Sequence, residues 1–362
     1  MFKKKTLPVV CLAIMILTAC TPATATQEAQ DETVEATATQ VVLEETVQAT
    51  ATQVPQYETY HLKIASYSYI TEAPYFLAQD NGYFAEQGLD VEFVRFNKSS
   101  DAIPALANGD LDVTTVFPSA AFFNAVARSA EIRIVSGKGY LDPNVCSFTG
   151  FVARTDLLSS GQLDDPNNWV GLKIATEKGA MAEYGLDILL KQNSLSLNDI
   201  EIVDLPAPNR LDALKNAAID IAGAGEPWVL RIRNAGAGDM WKTFNNILPN
   251  TSWGLVAFGP SLLQQHPDVG RRFMIAFMKG LAKYNEGKTD SNVAILAEYT
   301  QLEPAEIQQM CWINMAPDGT INAQSLLEFQ QWAFDQGYVT QQITAEQFWD
   351  PQFIEYAQPF VP

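Results

Sequence analysis

The chain has 362 residues, 47% of them hydrophobic and 18% charged, which is enough for a sizeable core and about two domains. Its formal net charge of −19 argues against a nucleic-acid partner and against docking on anionic lipid headgroups, since both need clustered lysines and arginines. The two histidines, His61 and His266, stand apart, which argues against a histidine-based metal site or a Ser-His-Asp triad. We therefore expect no metal, no cofactor and no nucleic-acid partner.

Residues 1–19 have the pattern of a secretion signal. Three lysines precede an apolar run over 7–17 that is too short to span a membrane comfortably. The sequence Leu17-Thr18-Ala19-Cys20 resembles a bacterial lipobox, in which cleavage precedes a cysteine that is then acylated. We predict a lipoprotein held by Cys20 at the outer face of the bacterial cell membrane. An ordinary secretion signal or a short anchor helix is the alternative.

Residues 20–60 contain the sequence ATATQ three times, at a period of 13 residues. The Ala, Thr, Gln and Glu composition cannot bury enough apolar surface to fold alone. We therefore predict a disordered tether between the lipid and the folded body.

Apart from Cys11 in the predicted signal and Cys20 at the lipidation site, the chain has Cys146 and Cys311, and neither belongs to a CxxC pair. An extracytoplasmic compartment permits a disulfide between them. The long separation says nothing about geometry, and two independent buried thiols are the alternative that we favour.

Strands and helices alternate through the first part of the folded body. Residues 61–96 give a strand, a polar loop at 68–73, a helix that begins at Pro74 and a second strand. Further strands are expected at 111–117 and 132–137, each after a helix. The resulting β-α-β-α-β-α-β order is typical of a mostly parallel sheet with helices outside. Ligands bind at the carboxyl ends of such strands, beside the helix N-termini.

A second α/β unit occupies about 155–250, and the chain is mainly helical after Pro260. Its strand-like runs, including one just before this unit and one after it, are 148–153, 170–175, 200–205, 219–224 and 253–258. The loop at 176–180 repeats the arrangement of the loop at 68–73, between a strand and a helix.

Several motifs give the chain a family resemblance. They are APYFLA at 73–78 with GYF at 82–84 and GLDV at 88–91, ALANGDLD at 105–112, GLKIA at 171–175, and GEPW at 225–228. Over about 61–350 the chain resembles type II periplasmic substrate-binding proteins of ABC importers. The branch includes nitrate-, sulfonate-, taurine- and thiamine-pyrimidine-binding proteins.

The resemblance implies an α/β, two-lobed fold with mixed, mostly parallel sheets and a helical C-terminal region. By analogy, the first lobe comprises 61–153 and 255–362, and the second comprises 154–254. Two crossover strands join the lobes, which close on the ligand like a hinge. The expected partners are a small-molecule ligand, an ABC permease and, through the lipid anchor, the membrane. We expect a monomer.

The strand-end loops of both lobes supply the candidate ligand-binding residues. They are Ser68, Tyr69, Thr71, Asn97, Phe117, Ser119, Tyr140, Thr176, Glu177, Gly179, Asn209, Glu226, Trp228 and Trp253. Glu226 and Trp228 share one loop, and together they could bind a planar nitrogen heterocycle by hydrogen bonding and stacking. The alternative is that Glu226 is a helix-start acid and Trp228 a core residue. Arg210 or Lys178 would matter most for an anionic ligand.

The resemblance implies capture of a solute and its delivery to the permease, without chemistry on the ligand. Few cations and several aromatic and acidic residues in the loops favour an aromatic heterocycle, either a pyrimidine vitamin precursor or a flavin such as riboflavin. Nitrate, taurine or an aliphatic sulfonate is the alternative. An enzyme resembling the thiamine-pyrimidine synthase is disfavoured, because residues 144–148, NVCSF, lack the cysteine cluster of that enzyme. A ligand-free sensor or adhesion module is the remaining possibility.

Overall fold

A computed structural model describes residues 57–67 and 69–361, which belong to one structural unit of the chain. The predicted signal, the lipidation site at Cys20, the three ATATQ repeats and the candidate residue Ser68 lie outside the described residues. Of the predicted tether only 57–60 are described, and Tyr60 already belongs to the first strand.

Most strands occur where the sequence carries short β-branched or apolar runs. In chain order they are β1 (Tyr60–Ser66), β2 (Leu89–Arg95), β3 (Val113–Val116), β4 (Arg133–Tyr140), β5 (Thr149–Arg154), β6 (Lys173–Thr176), β7 (Glu201–Asp204), β8 (Ile221–Gly225), β9 (Gly238–Thr243) and β10 (Ser252–Phe258).

These strands form two mixed sheets. The first has the order β2-β1-β3-β10-β4, and the second has the order β7-β6-β8-β5-β9. In the first sheet β1 pairs in parallel with β2 and β3, and β10 runs antiparallel to β3 and β4. In the second sheet β6 pairs in parallel with β7 and β8, and β5 runs antiparallel to β8 and β9. Four strands of each sheet therefore point the same way, which confirms the predicted mixed, mostly parallel sheets.

Helices cover the sheets and fill most of the chain after β10. They are α1 (Ala73–Asp80), α2 (Tyr83–Glu86), α3 (Ser99–Asn108), α4 (Ala120–Ala127), α5 (Thr155–Ser159), α6 (Met181–Gln192), α7 (Ala207–Lys215), α8 (Trp228–Asn234), α9 (Phe244–Ile247), α10 (Pro267–Asn285), α11 (Asp290–Thr300), α12 (Pro304–Gln309), α13 (Ala323–Asp335), α14 (Ala345–Phe348) and α15 (Gln352–Ala357). Within the described ranges, none of the helices has both the length and the apolar character needed to cross a bilayer.

The longest helix, α10, is packed closely against α1. Pro267 starts α10, where its missing N–H costs nothing, and the buried rings of Phe273 and Phe277 face the core. Gly280 lets the two backbones approach, because a Cβ at this position would lie 2.2 Å from the carbonyl oxygen of Pro74. The C-terminal helices thus complete the first sheet's side of the molecule.

The chain crosses between the sheets twice, and the crossover positions differ from the predicted lobe limits. The sequence places 61–153 in the first lobe, but β5 is hydrogen-bonded into the second sheet. It also places 154–254 in the second lobe, but β10 begins at Ser252 in the first sheet. The connecting segments are therefore 141–148 and 248–251. Both strands are buried, so their apolar runs carry no signal for the sheet to which they belong.

Three further features differ from the sequence-based expectations. The strand predicted to end at residue 137 continues to Tyr140 as β4. The edge strand β9 is not predicted, because its sequence GDMWKT lacks an apolar run. Cys146 and Cys311 form a disulfide with Cα atoms 5.9 Å apart, so the preference for two free thiols is wrong. The fold brings together two residues that are separated by 165 positions in the sequence.

Candidate ligand-binding site

A cavity of about 110 Å³ lies where the carboxyl ends of the parallel strands in the two sheets face each other. The loops after β1, β2 and β3 form one wall, which we call the first wall. The ends of β6 and β8 and the start of α7 form the opposite wall, which we call the second wall. This is the position at which open α/β sheets bind ligands. Seven of the sequence-predicted site residues line the cavity: Tyr69, Thr71, Phe117, Ser119, Thr176, Glu177 and Trp253.

Aromatic rings provide much of the lining. On the first wall, Tyr69 and Phe117 meet edge to face with their ring centroids 5.7 Å apart. Near the crossovers, Trp253 contacts Phe148 and Phe244 at centroid distances of 6.1 and 5.1 Å. Burial raises the pKa of Tyr69 to about 12, so its phenol stays protonated and can donate a hydrogen bond. The cavity is therefore shaped by flat apolar surfaces with a few polar groups, as small-molecule sites are.

Two threonines that line the cavity have buried hydroxyls without a hydrogen-bond partner among the described residues. Thr71 lies on the first wall and is 1% exposed, and Thr176 ends β6 on the second wall and is 0% exposed. Neither Oγ1 atom has a partner among the described residues. Buried polar groups in native proteins are almost always satisfied, so each orphaned hydroxyl indicates a missing partner. Their positions on opposite walls are suited to one ligand held between them.

Charged groups of both signs lie on the second wall. Arg210 is buried, and burial lowers the pKa of its guanidinium. Glu177 follows β6, and burial raises the pKa of its carboxyl, while Arg210 and Lys98 oppose that rise. Lys98 comes from the first wall and forms an ion pair with Asp204 across the cleft, with Nζ–Oδ1 at 3.5 Å.

The two walls touch at one edge of the cavity through backbone hydrogen bonds. The amide of Ala120 donates to the carbonyl oxygen of Gly179 at 2.8 Å, and the amide of Met181 donates to that of Pro118 at 3.1 Å. Gly179 has a φ of +67°, and a Cβ there would lie 3.3 Å from the Cβ of Ala120. Glycine at this position therefore allows both the left-handed backbone and the close approach.

A buried ion pair lies directly behind the Thr71 loop. Glu72 and Lys138 are both 0% exposed, and Lys138 Nζ lies 2.5 Å from Glu72 Oε1. Thr115 donates to the same carboxylate oxygen at 2.8 Å, and the Lys138 ammonium lies 4.1 Å from the ring centroid of Tyr75. Burial raises the pKa of Glu72 and lowers the pKa of Lys138 to about 8. This cluster ties the loop that carries Thr71 to β3 and β4.

Other sequence-predicted residues do not line the cavity, although Gly179 lies at its edge. They are Asn97, Tyr140, Gly179, Asn209, Glu226 and Trp228. Asn97 and Asn209 are exposed, and the hydroxyl of Tyr140 accepts a hydrogen bond from Asn314 at 3.0 Å. The carboxylate of Glu226 accepts the Leu230 amide at 3.0 Å, which is the role of a helix-start acid. The Trp228 ring lies beside Arg231, 4.9 Å from its guanidinium.

The cavity also includes residues that were not among the candidates. The larger ones are Lys98, Ser99, Ser100, Phe148, Thr149, Met181 and Phe244, and they lie with Arg210, which the sequence named only for an anionic ligand. Lys98, Ser99 and Ser100 directly follow the candidate Asn97, so the sequence identified this strand-end loop but named a residue that does not line the cavity. The crossover position of Phe148 and the location of Phe244 before β10 have no local sequence signal.

A model of the family described as NMT1/THI5 like matches residues 70–286. The chain belongs to the NMT1/THI5-like family. A relative in Brucella abortus, described as a binding protein, is 21% identical over 234 residues, which are 64% of this chain and 69% of that protein. A 4-amino-5-hydroxymethyl-2-methylpyrimidine phosphate synthase of Aspergillus parasiticus is 31% identical over 134 residues, which are 36% of this chain and 35% of the synthase.

Solved structures of ABC-importer binding proteins share the fold. The ligand-binding component of an ABC-type import system from Staphylococcus aureus has a TM-score of 0.69 at 16% identity, covering 83% of this chain and 99% of its own. The aliphatic sulphonate binding protein SsuA from Escherichia coli has a TM-score of 0.66 at 15% identity, covering 80% of this chain and 92% of its own. The nitrate-binding protein NrtA from Synechocystis PCC 6803 has a TM-score of 0.69 at 14% identity, covering 83% of this chain and 89% of its own. The predicted two-lobed, type II fold is thus confirmed.

Proposed function

We propose that this protein captures a small aromatic heterocycle between its two walls and delivers it to an ABC permease. The observation that carries the proposal is the pair of buried, unpartnered hydroxyls, Thr71 and Thr176, on opposite sides of an aromatic-lined cavity. A ligand bonded to both hydroxyls joins the two sheets, so binding and closure become one event. The lipid anchor at Cys20 and a monomeric state remain part of the proposal.

The size of the cavity favours a single ring. The cavity, at about 110 Å³, is somewhat smaller than one of about 150 Å³ that binds benzene, so a substituted pyrimidine needs a small outward movement of the walls and a flavin a much larger one. The edge-to-face pair of Tyr69 and Phe117 provides apolar surface against which a flat ring can pack. A pyrimidine therefore fits this closed arrangement better than riboflavin does.

An anionic ligand such as a sulfonate or nitrate is the second candidate, and buried Arg210 is the observation that favours it. Glu177 on the same wall counts against it, because a bare anion would lie beside a carboxylate. Two of the structural neighbours are a sulphonate-binding and a nitrate-binding protein.

An enzymatic role is disfavoured, although one relative is a pyrimidine phosphate synthase. No histidine or cysteine is among the described residues that line the cavity, so a histidine base and a cysteine nucleophile are missing there. The cysteines of the described residues are joined in a disulfide away from the cavity.

Thermal unfolding with a ligand panel tests the proposal. The panel contains 4-amino-5-hydroxymethyl-2-methylpyrimidine, uracil, riboflavin, taurine, an aliphatic sulfonate and nitrate. A ligand at a hundred times its Kd adds about 2.7 kcal/mol to the free energy of unfolding. For a domain of this size that corresponds to a rise in Tm of roughly 5 °C. We expect the rise with a pyrimidine, and a rise confined to the anions would reject the heterocycle.

A further inference from the structure

Arg210 is a fixed, buried cation with one nitrogen left for a ligand. Its Nε donates to the carbonyl oxygen of Leu205 at 2.8 Å, and its Nη1 donates to that of Gly223 at 2.5 Å. These two bonds set the plane of the guanidinium at the cavity wall. Over residues 57–67 and 69–361, Nη2 makes no hydrogen bond and Arg210 forms no ion pair with a carboxylate. A buried charge in this condition is costly unless another group compensates it.

Glu177 is an acceptor on the same wall and is likewise unused. Its carboxylate makes neither a hydrogen bond nor an ion pair with any other described residue, although the charges of Arg210 and Lys98 act on it. Lys98 is already engaged by Asp204. The second wall therefore presents one donor, Arg210 Nη2, and one acceptor, the Glu177 carboxylate, which do not satisfy each other.

We propose that Arg210 and Glu177 together determine specificity by recognising one edge of a ring that carries a hydrogen-bond acceptor next to an N–H donor. The N=C–NH₂ edge of an aminopyrimidine and the O=C–NH edge of a pyrimidinone share this chemistry. The inference rests on the proposed function and adds to it which groups of the ring are read.

The charges explain why both groups are needed. A bare anion satisfies Arg210 but leaves Glu177 facing a like charge, and a simple amine does the reverse. The hydroxyls of Thr71 and Thr176 cannot make this distinction, because a hydroxyl donates or accepts as required. The planar guanidinium, held by two carbonyl oxygens, matches the plane of a ring edge in a way that a lysine could not.

Calorimetric titration of the unaltered protein with matched analogues tests whether it recognises this ring edge. The first pair is 4-amino-5-hydroxymethyl-2-methylpyrimidine and 5-hydroxymethyl-2-methylpyrimidine, which lacks the amino donor. The second pair is 1-methyluracil and 1,3-dimethyluracil, which lacks the ring N–H. Loss of the donor leaves Glu177 unpaired. In the pair that binds more tightly, we therefore expect the analogue without the donor to bind about tenfold to a hundredfold more weakly than its partner.

Variants then assign the effect to the two side chains. Glu177→Ala should bind both members of the preferred pair equally, because the acceptor that distinguishes them is gone. Arg210→Lys should lower the affinity about tenfold or more. Glu201→Gln and Arg233→Lys are controls, since both side chains belong to the same half of the molecule, and neither lines the cavity.

The outcomes separate this inference from the proposed function. If the unaltered protein binds a pyrimidine but does not distinguish the members of either pair, the edge recognition is wrong and the proposed function stands. The same holds if Glu177→Ala keeps the full discrimination. If neither pyrimidine class binds at all, the proposed function and this inference both fall.

Discussion

Replacing Thr176 by valine should make the ligand-free protein more stable and the ligand weaker. The hydroxyl of Thr176 is fully buried and has no partner among the described residues, and valine has nearly the same shape. An unpaired buried polar group costs about 1–3 kcal/mol, so its removal should raise the free energy of unfolding by about 1 kcal/mol. Thr71→Val should act in the same direction from the opposite wall.

The effect on binding has the opposite sign. A neutral hydrogen bond contributes about 0.5–1.5 kcal/mol, so the loss of one from the complex weakens binding about twofold to tenfold. Urea denaturation of the ligand-free variant measures the first effect, and calorimetric titration of the pyrimidine measures the second. Most substitutions in a buried site lower stability, so a gain in stability with a loss of affinity is a specific signature.

Thr149→Val provides the matched control for stability. Thr149 is also buried at the cavity, but its hydroxyl donates to the carbonyl oxygen of Ala224 at 2.9 Å. Its replacement should therefore lower the free energy of unfolding by about 1 kcal/mol. If Thr176→Val destabilises the ligand-free protein as much as Thr149→Val does, or leaves the affinity unchanged, the hydroxyl is not reserved for a ligand.

Three other predictions concern the contact between the two walls at Gly179, the disulfide and the buried ion pair. Gly179→Ala should weaken ligand binding about tenfold in a titration, because the added Cβ meets Ala120. Gly171→Ala is the control: Gly171 has a φ of +79° but nothing within 4 Å of its Cβ, so this substitution should strain the backbone alone and leave the affinity unchanged. Replacing Cys146 and Cys311 together by serine should lower the free energy of unfolding by about 2–5 kcal/mol in urea, and an unchanged midpoint would contradict the disulfide. The pKa of Lys138 is about 8 in the native protein and 10.5 in the unfolded chain. Between pH 8 and 10.5 the unfolded chain therefore binds more protons than the native protein, so the free energy of unfolding should rise with pH across this range. The raised pKa of Glu72 acts the other way and at lower pH, where stability declines as pH rises above about 4.5. Denaturation from pH 8 to 10.5 should show the rise in the unaltered protein but not in Glu72→Gln/Lys138→Met, and an identical slope in both would refute the assignment.

The sequence predicted the location of the cavity better than its contents. Strand-end loops are recognisable because an apolar run stops before a helix signal, and this rule found Thr71, Ser119 and Thr176. It could not separate Glu177, which lines the cavity, from Glu226, whose carboxylate binds an amide of its own helix. Both acids follow a buried strand, and only their three-dimensional surroundings distinguish them.

The remaining differences have the same origin in long-range contacts. Arg210 is fixed by carbonyl oxygens of residues 205 and 223, which no local pattern connects to it. The disulfide partners and the sheet membership of β5 likewise depend on how distant segments meet. The family resemblance provided the two-lobed arrangement, but the hydrogen-bonding state of each side chain required the structure.

The proposed function requires that one small heterocycle is held inside the cavity between the two walls. Titration calorimetry of 4-amino-5-hydroxymethyl-2-methylpyrimidine and of uracil into the unaltered protein and into Ala182→Phe tests it most directly. Ala182 lines the cavity, so a phenylalanine there should occupy the space of the ligand. We predict binding of one pyrimidine per chain to the unaltered protein and none to the variant. Equal binding to both proteins, or binding of nitrate and sulfonates alone, would contradict the claim.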